Sequence, residues 1–199
     1  MNALPAPSVR LEAHPASPWT TRLRVDVAIA VSGSPDGPGL LLDFRLTGPK
    51  IDRARLHVPG ARAPGPADEL WQDTCFELFV ASEGQQAYRE FNFSPSGQWA
   101  AYAFSGERQR DPAADLDTSR GLPDASWHTG SLHGPDGLLA WVPASALPAT
   151  RPWVMGLSAV LANADGQLAY LALHHPKPRP DFHDRRGWTF CPALPPFPA

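Results

Sequence analysis

Cysteine is scarce: the 199 residues contain only Cys75 and Cys191, in no CxxC spacing. Neither a zinc site nor a thioredoxin-like pair can be built from them, and both are expected as buried or reduced thiols. Charge of one sign is lacking too. Lys and Arg number 17 against 20 Asp and Glu, a net charge of -3, and no basic patch stands out, so nucleic acid is not an expected partner. No apolar run approaches the length of a membrane span. The opening stretch MNALPAPSVRLEAHPASPW has no basic start leading into an apolar core and no cleavage site, so a cytoplasmic protein without a membrane partner is expected.

Sustained helical periodicity is also missing. What the chain has instead is 24 prolines and 16 glycines, too many for long helices, which implies many turns and edge strands. With 43% hydrophobic and 19% charged residues the composition is that of a soluble globular protein. The expectation is one domain over residues 1–199, all-β, a two-sheet β-sandwich of jelly-roll type with long Pro-rich loops. A Pro-rich strap over 1–18 and a Pro-rich tail over 176–199 flank it.

Period-two alternation marks the strands. An edge strand is expected at 8–13. In 21–31, Leu23, Val25, Val27, Ile29 and Val31 alternate with Arg22, Arg24, Asp26, Ala28 and Ala30, and 40–46 answers as the hairpin partner across a turn at 34–39. A short strand is expected at 53–58, inside the Pro-rich loop 48–69. Strands follow at 127–132 and 138–142 around the Gly134-Pro135-Asp136-Gly137 turn, then one helical turn at 143–147. Another hairpin, 153–162 with 167–173, closes over Asn163-Ala164-Asp165-Gly166. The polar stretch 106–126 reads as a surface loop able to line a site. Residues 188–191 look like a last strand, and the total comes to about ten.

The richest stretch is 71–104, WQDTCFELFVASEGQQAYREFNFSPSGQWAAYAF, three aromatic strands of a meander with turns at Glu83-Gly84 and Ser94-Pro95-Ser96-Gly97. Alternation puts Tyr88, Glu90, Asn92 and Ser94 on one face and Arg89, Phe91 and Phe93 on the other. Carboxylates, an amide and an indole converging on one sheet face suit a sugar, whose hydroxyls take hydrogen bonds and whose C–H faces stack on rings. The competing reading sends Glu77 and Glu90 to solvent, or pairs them with Arg89 or Arg108 across the hairpin.

Three segments resemble a bacterial family of DOMON-like proteins related to the family-nine carbohydrate-binding modules. They are Glu69-Leu70-Trp71-Gln72-Asp73-Thr74-Cys75-Phe76-Glu77, then residues 88–102, then His175-Pro176-Lys177 with Pro180-Asp181-Phe182-His183. The resemblance implies a β-sandwich whose relatives bind sugars or, in other branches, haem. It also implies a site in which two aromatic rings sandwich a sugar while a carboxylate, an Asn and basic groups bond its hydroxyls. Trp71 and Glu77 match that motif, Asn92 less closely, and Glu90 stands where those modules carry a basic residue. No motif assigns the second aromatic wall, for which Trp99, Trp127 and Phe182 are the candidates.

The expected function is therefore a non-catalytic module for a small sugar or glycoconjugate. Its site residues are Trp71, Glu77, Glu90 and Asn92, with Arg89, Arg108 and Lys177 at the rim, and no cofactor or metal is expected. Glycoside hydrolysis by Glu77 and Glu90 is the alternative from another class, and a scaffold for a protein partner is a third. A haem domain would need an axial His or Met in an apolar pocket; Met1 is terminal and Met155 lies mid-strand. His174, His175, Asp181, His183 and Asp184 are metal-ligand types in no zinc spacing, held extended by Pro176, Pro178 and Pro180. Asp181 and His183 are expected to tie the tail to the sandwich.

Overall fold

The structure, a computed structural model, describes residues 7–19, 22–34, 37–116, 123–128 and 136–197. Its strands in chain order are β1 (Ser8–Ala13), β2 (Arg24–Ser34), β3 (Gly37–Thr47), β4 (Gly65–Pro66), β5 (Cys75–Ser82), β6 (Tyr88–Phe93) and β7 (Gln98–Gly106). After them come β8 (Gln109–Arg110), β9 (Asp124–His128), β10 (Asp136–Pro143), β11 (Trp153–Ala162) and β12 (Leu168–Ala172). A helix, α1 (Lys50–Arg55), and four 3-10 turns complete the described residues.

The all-β expectation takes the form of a 12-stranded sheet in the order β4-β7-β6-β5-β11-β12-β1-β2-β3-β10-β9, with β8 beside β7. β7 also lies against β9, so the sheet nearly closes on itself. Alternation explains what fills it. Val25, Val27 and Ile29 of β2, Leu42 and Phe44 of β3, and Phe76, Leu78 and Val80 of β5 all point into one core with no exposed surface. Phe44 meets Phe76 there at 5.1 Å between ring centroids, joining the β1-β2-β3-β10-β9 arm to the β5-β6-β7 arm.

Every residue of β5 is buried, because its other face is covered as well. Phe79 and Ala81 pack with Tyr88, Phe104 and Trp188 in a second cluster, built where the C-terminal tail lies across the sheet. Gly156 permits this close approach: a Cβ there would fall inside the Trp188 indole. The turn glycines 84, 97 and 166 sit at φ of 76, 89 and 77°, the left-handed region glycine enters without strain.

Several expectations are corrected. The strand at 8–13 is no edge: Ser8 to Leu11 pair with β2, while Glu12 and Ala13 pair with Ala172 and Leu171 of β12, making β1 the joint between the arms. Residues 53–58 are not a strand. Pro49 opens α1, Asp52 in its first turn and Arg53 and Arg55 in its last complement the helix dipole, and only Leu56 forms a bridge, to Asn163. Residues 188–191 contribute a single bridge, Met155 to Phe190, after a 3-10 turn at Arg185–Gly187. Two-residue strands β4 and β8 carry the count past ten. Both cysteines are free, as expected, with Cys75 buried and Cys191 exposed. Residues 1–6 of the strap, Pro35 and Asp36 of the first turn, the middle of the 106–126 loop and positions 129–135 lie outside the described residues.

Candidate functional site

On the face of β7-β6-β5-β11-β12 turned away from the main core lies a cleft of about 1010 Å³. Its floor is carboxylic and aromatic: Glu77 and Phe79 from β5, Glu90 from β6, Tyr102 and Phe104 from β7. Tyr170 of β12 and Phe182 of the tail form one side, Trp71 the other. The register explains the floor. Glu90 stands opposite Phe79 on β5 and opposite Tyr102 on β7, and Glu77 stands opposite Asn92 and Ser158, so period two brings these groups to one face.

Trp71 is carried by a 3-10 turn, Leu70–Gln72, and is 41% exposed over the cleft. Its indole meets the Tyr102 ring edge-on at 6.2 Å, and the Tyr102 hydroxyl donates to Asp68 at 2.7 Å, which holds the wall upright. Opposite, Tyr170 and Phe182 lie 6.2 Å apart. The described residues include two non-glycine positions with positive φ, Glu69 at 59° and Arg108 at 56°, and both line this cleft. Backbone held in a sparsely populated region concentrates at functional sites.

The two carboxyl groups are sequestered. Glu77 is 2% and Glu90 5% exposed, and neither forms an ion pair with Arg89 or Arg108, which removes both parts of the competing reading. Glu77 accepts from the Ser158 hydroxyl at 2.7 Å, and Glu90 accepts from the Asn92 amide at 2.9 Å. Burial, helped by the charge of Glu90, pushes Glu77 up to about 8, against the Ser158 bond that favours its ionised form. Burial likewise lifts Glu90 to about 7, against the Asn92 bond and the more distant Arg110 and Arg108. Among the described residues, Asn92 Oδ1 is buried without a donor.

The tail closes one end. Tyr88 accepts from the Arg108 amide at 3.3 Å and is hydrogen-bonded to His183 Nδ1 at 2.7 Å, with His183 Nε2 3.7 Å from Glu90. Burial and the Arg108 charge pull His183 down to about 4, so its ring is neutral at pH 7. Asp181 accepts from Arg108 and from Lys177, each at 2.7 Å, and Trp188 donates to the Phe182 carbonyl at 2.8 Å.

The cleft thus brings together Trp71, Glu77, Glu90 and Arg108, with Asn92 beneath its floor. Lys177 stays at the margin on Asp181, Asp184 and Glu107. Arg89 is not part of it: it faces the other side of β6 and donates to the Ala114 carbonyl. Of the candidates for the second wall, Trp99 is buried in the core and Trp127 packs on Phe76, leaving Phe182 in the cleft. Tyr102 and Tyr170 were reachable by extending the alternation across the hairpins; Asp181 and His183 do tie the tail to the sheet, as expected, whereas Asp68 carried no sequence signal. Among the described residues no group of three metal-ligating side chains clusters.

Neither a protein family nor a curated protein matches the chain. Among solved structures it is similar to a candidate carbohydrate-binding protein from Bacteroides uniformis ATCC 8492, with a TM-score of 0.61, 17% identity, and 92% of this chain and 84% of that one covered. It is more distantly similar to a carbohydrate-binding module of family 9 from Caldicellulosiruptor kristjanssonii, solved in complex with cellotriose. There the TM-score is 0.42 and the identity 8%, over 81% of this chain and 71% of that one. The first likeness is one of fold.

Proposed function

We propose that this chain is a non-catalytic carbohydrate-binding module, a single domain that takes a small sugar or glycoconjugate in the aromatic-walled cleft. The observation that carries this reading is the cleft itself. Trp71 and Tyr102 face Tyr170 and Phe182 across a floor of two buried carboxyl groups, which offers ring faces to C–H surfaces and hydrogen-bonding oxygens to hydroxyls. A shared fold with a candidate carbohydrate-binding protein supports it. With it goes the inference that the bent sheet works as a two-layer sandwich of the DOMON-like type suggested by residues 69–77 and 88–102.

Hydrolysis is the weaker reading. Glu77 and Glu90 stand on adjacent strands as an acid and a nucleophile would, but the cleft is walled by rings and the fold is shared with a candidate carbohydrate-binding protein. The reading is tested by calorimetric titration of a panel of mono- and disaccharides into the protein and into Trp71→Ala. Saturable binding that weakens at least tenfold in the variant, with no product formed, supports it. Turnover of chromogenic glycosides, abolished in Glu77→Gln, contradicts it.

A further inference from the structure

We infer that the preferred ligand of this cleft carries a positive charge, and is an amino sugar presenting its ammonium group to Glu77 and Glu90. The inference rests on the saccharide reading and deepens it. It starts from an imbalance. Five carboxyl groups line the cleft, those of Asp68, Glu69, Glu77, Glu90 and Asp181, against the guanidinium groups of Arg108 and Arg110. Both guanidinium groups are already engaged, Arg108 on Asp181, and Arg110 on Asp115 with its plane 4.6 Å above the Tyr102 ring. Lys177 is held outside by Asp181 and Asp184.

The two deepest carboxyl groups therefore have no cation of their own. The nearest basic side chain, His183, is hydrogen-bonded through Nδ1 to the Tyr88 hydroxyl and stays neutral. Glu77, 2% exposed, accepts from Ser158 and forms no ion pair among the described residues, and Asn92 Oδ1, on the residue that bonds Glu90, is buried without a donor. A buried carboxyl group must be protonated or meet a cation. The rings around the pair favour the second once a ligand arrives: Phe79, Phe104 and Tyr102 lie on the floor, with Trp71 above, and aromatic faces attract an ammonium group. A neutral sugar brings hydroxyls to this place, whereas an amino sugar brings hydroxyls, a ring to stack and the missing charge.

Proton linkage follows. Binding an ammonium group stabilises the ionised carboxylates, so protons held by Glu77 and Glu90 in the free protein leave on binding, and affinity rises from pH 5.5 to pH 7. The other titratable or charged groups around the pair are Cys75 and Tyr88 on its own strands, Tyr102, Arg108 and Arg110 from β7, its turn and β8, Asp68 and Glu69 from the loop before the Trp71 turn, Tyr170 of β12, and Asp181 and His183 of the tail. None of these turns positive toward the pair in that range, since His183 titrates near 4.

The test titrates glucosamine, N-acetylglucosamine, glucose and choline into the intact protein at pH 5.5 and pH 7, followed by calorimetry and tryptophan fluorescence. Expected are glucosamine bound at least tenfold more tightly than glucose or N-acetylglucosamine at pH 7, a gap that narrows at pH 5.5, and its loss in Glu77→Gln or, should that variant not fold, in Glu90→Gln. Equal affinity for glucosamine and glucose overturns the inference and leaves the saccharide reading standing. Choline bound as tightly as glucosamine overturns it in favour of a cation site that does not read the ring. No binding by any of the sugars overturns it together with the saccharide reading.

Discussion

Trp71 and Glu77 do opposite things with water, and each can be probed on its own. Trp71 is 41% exposed and contributes little to the core, so Trp71→Ala should leave the thermal midpoint within about 2 °C while weakening sugar binding at least tenfold; calorimetry of both properties on one sample checks it. Glu77 and Glu90 hold protons in the folded state that the unfolded chain releases near 4.5, so between about pH 4.5 and 8 folding becomes less favourable as pH rises. His183 works the other way between about 4 and 6.5, where the unfolded chain binds the extra proton. Above pH 6.5 the carboxyl slope is left alone of these three. Urea midpoints should fall from pH 6.5 to 8, and Glu77→Gln should flatten that fall by about 1–2 kcal/mol. Burial also raises the Cys75 thiol, so one thiol, Cys191, should react with a disulfide reagent in the native protein and two after unfolding.

Among the elements, the tail decides whether the cleft has an end wall. It is tied by His14 and His175, whose Nε2 atoms reach the Lys177 and Glu12 carbonyls at 3.0 and 2.8 Å, and by Trp188 lying on Gly156. Gly156→Ala should lift Trp188, release Phe182 and His183, speed proteolysis within 176–197 and weaken ligand binding, as limited digestion with mass spectrometry would show. The strands themselves were legible wherever one face is buried and the other is not. In β2 and β3 exposure alternates residue by residue, while β11, buried on both faces, still coincides with 153–162. Legibility failed where the structure depends on partners remote in sequence. Residues 8–13 look like an edge strand because they are short and Pro-flanked, and only the fold shows their two halves serving two neighbours. At 53–58 three apolar positions suggested alternation, but Pro49 and the flanking charges favour a helical turn. Glu77, Glu90 and Asn92 could be gathered by period two and Trp71, which the structure puts on a 3-10 turn before β5, by its motif, whereas Arg89 was drawn in by proximity alone, although the same alternation sends it to the opposite face.

For the whole molecule, the core and the cleft share β5, β6 and β7 and use their opposite faces. Phe44 and Phe76 join the arms at the centre, so Phe44→Ala should cost about 3–5 kcal/mol in urea unfolding and loosen the strands that hold the carboxyl groups in register. Ligand affinity should fall with it. The account as a whole stands on sugar entering between Trp71 and Phe182. The most direct measurement is a nitrogen–proton NMR titration with glucosamine and glucose, in which the Trp71 indole signal is assigned by its disappearance in Trp71→Phe. The account predicts that this signal and the Asn92 side-chain amide shift together and saturate. If both stay still while sugar binds elsewhere or not at all, the cleft is not a sugar site.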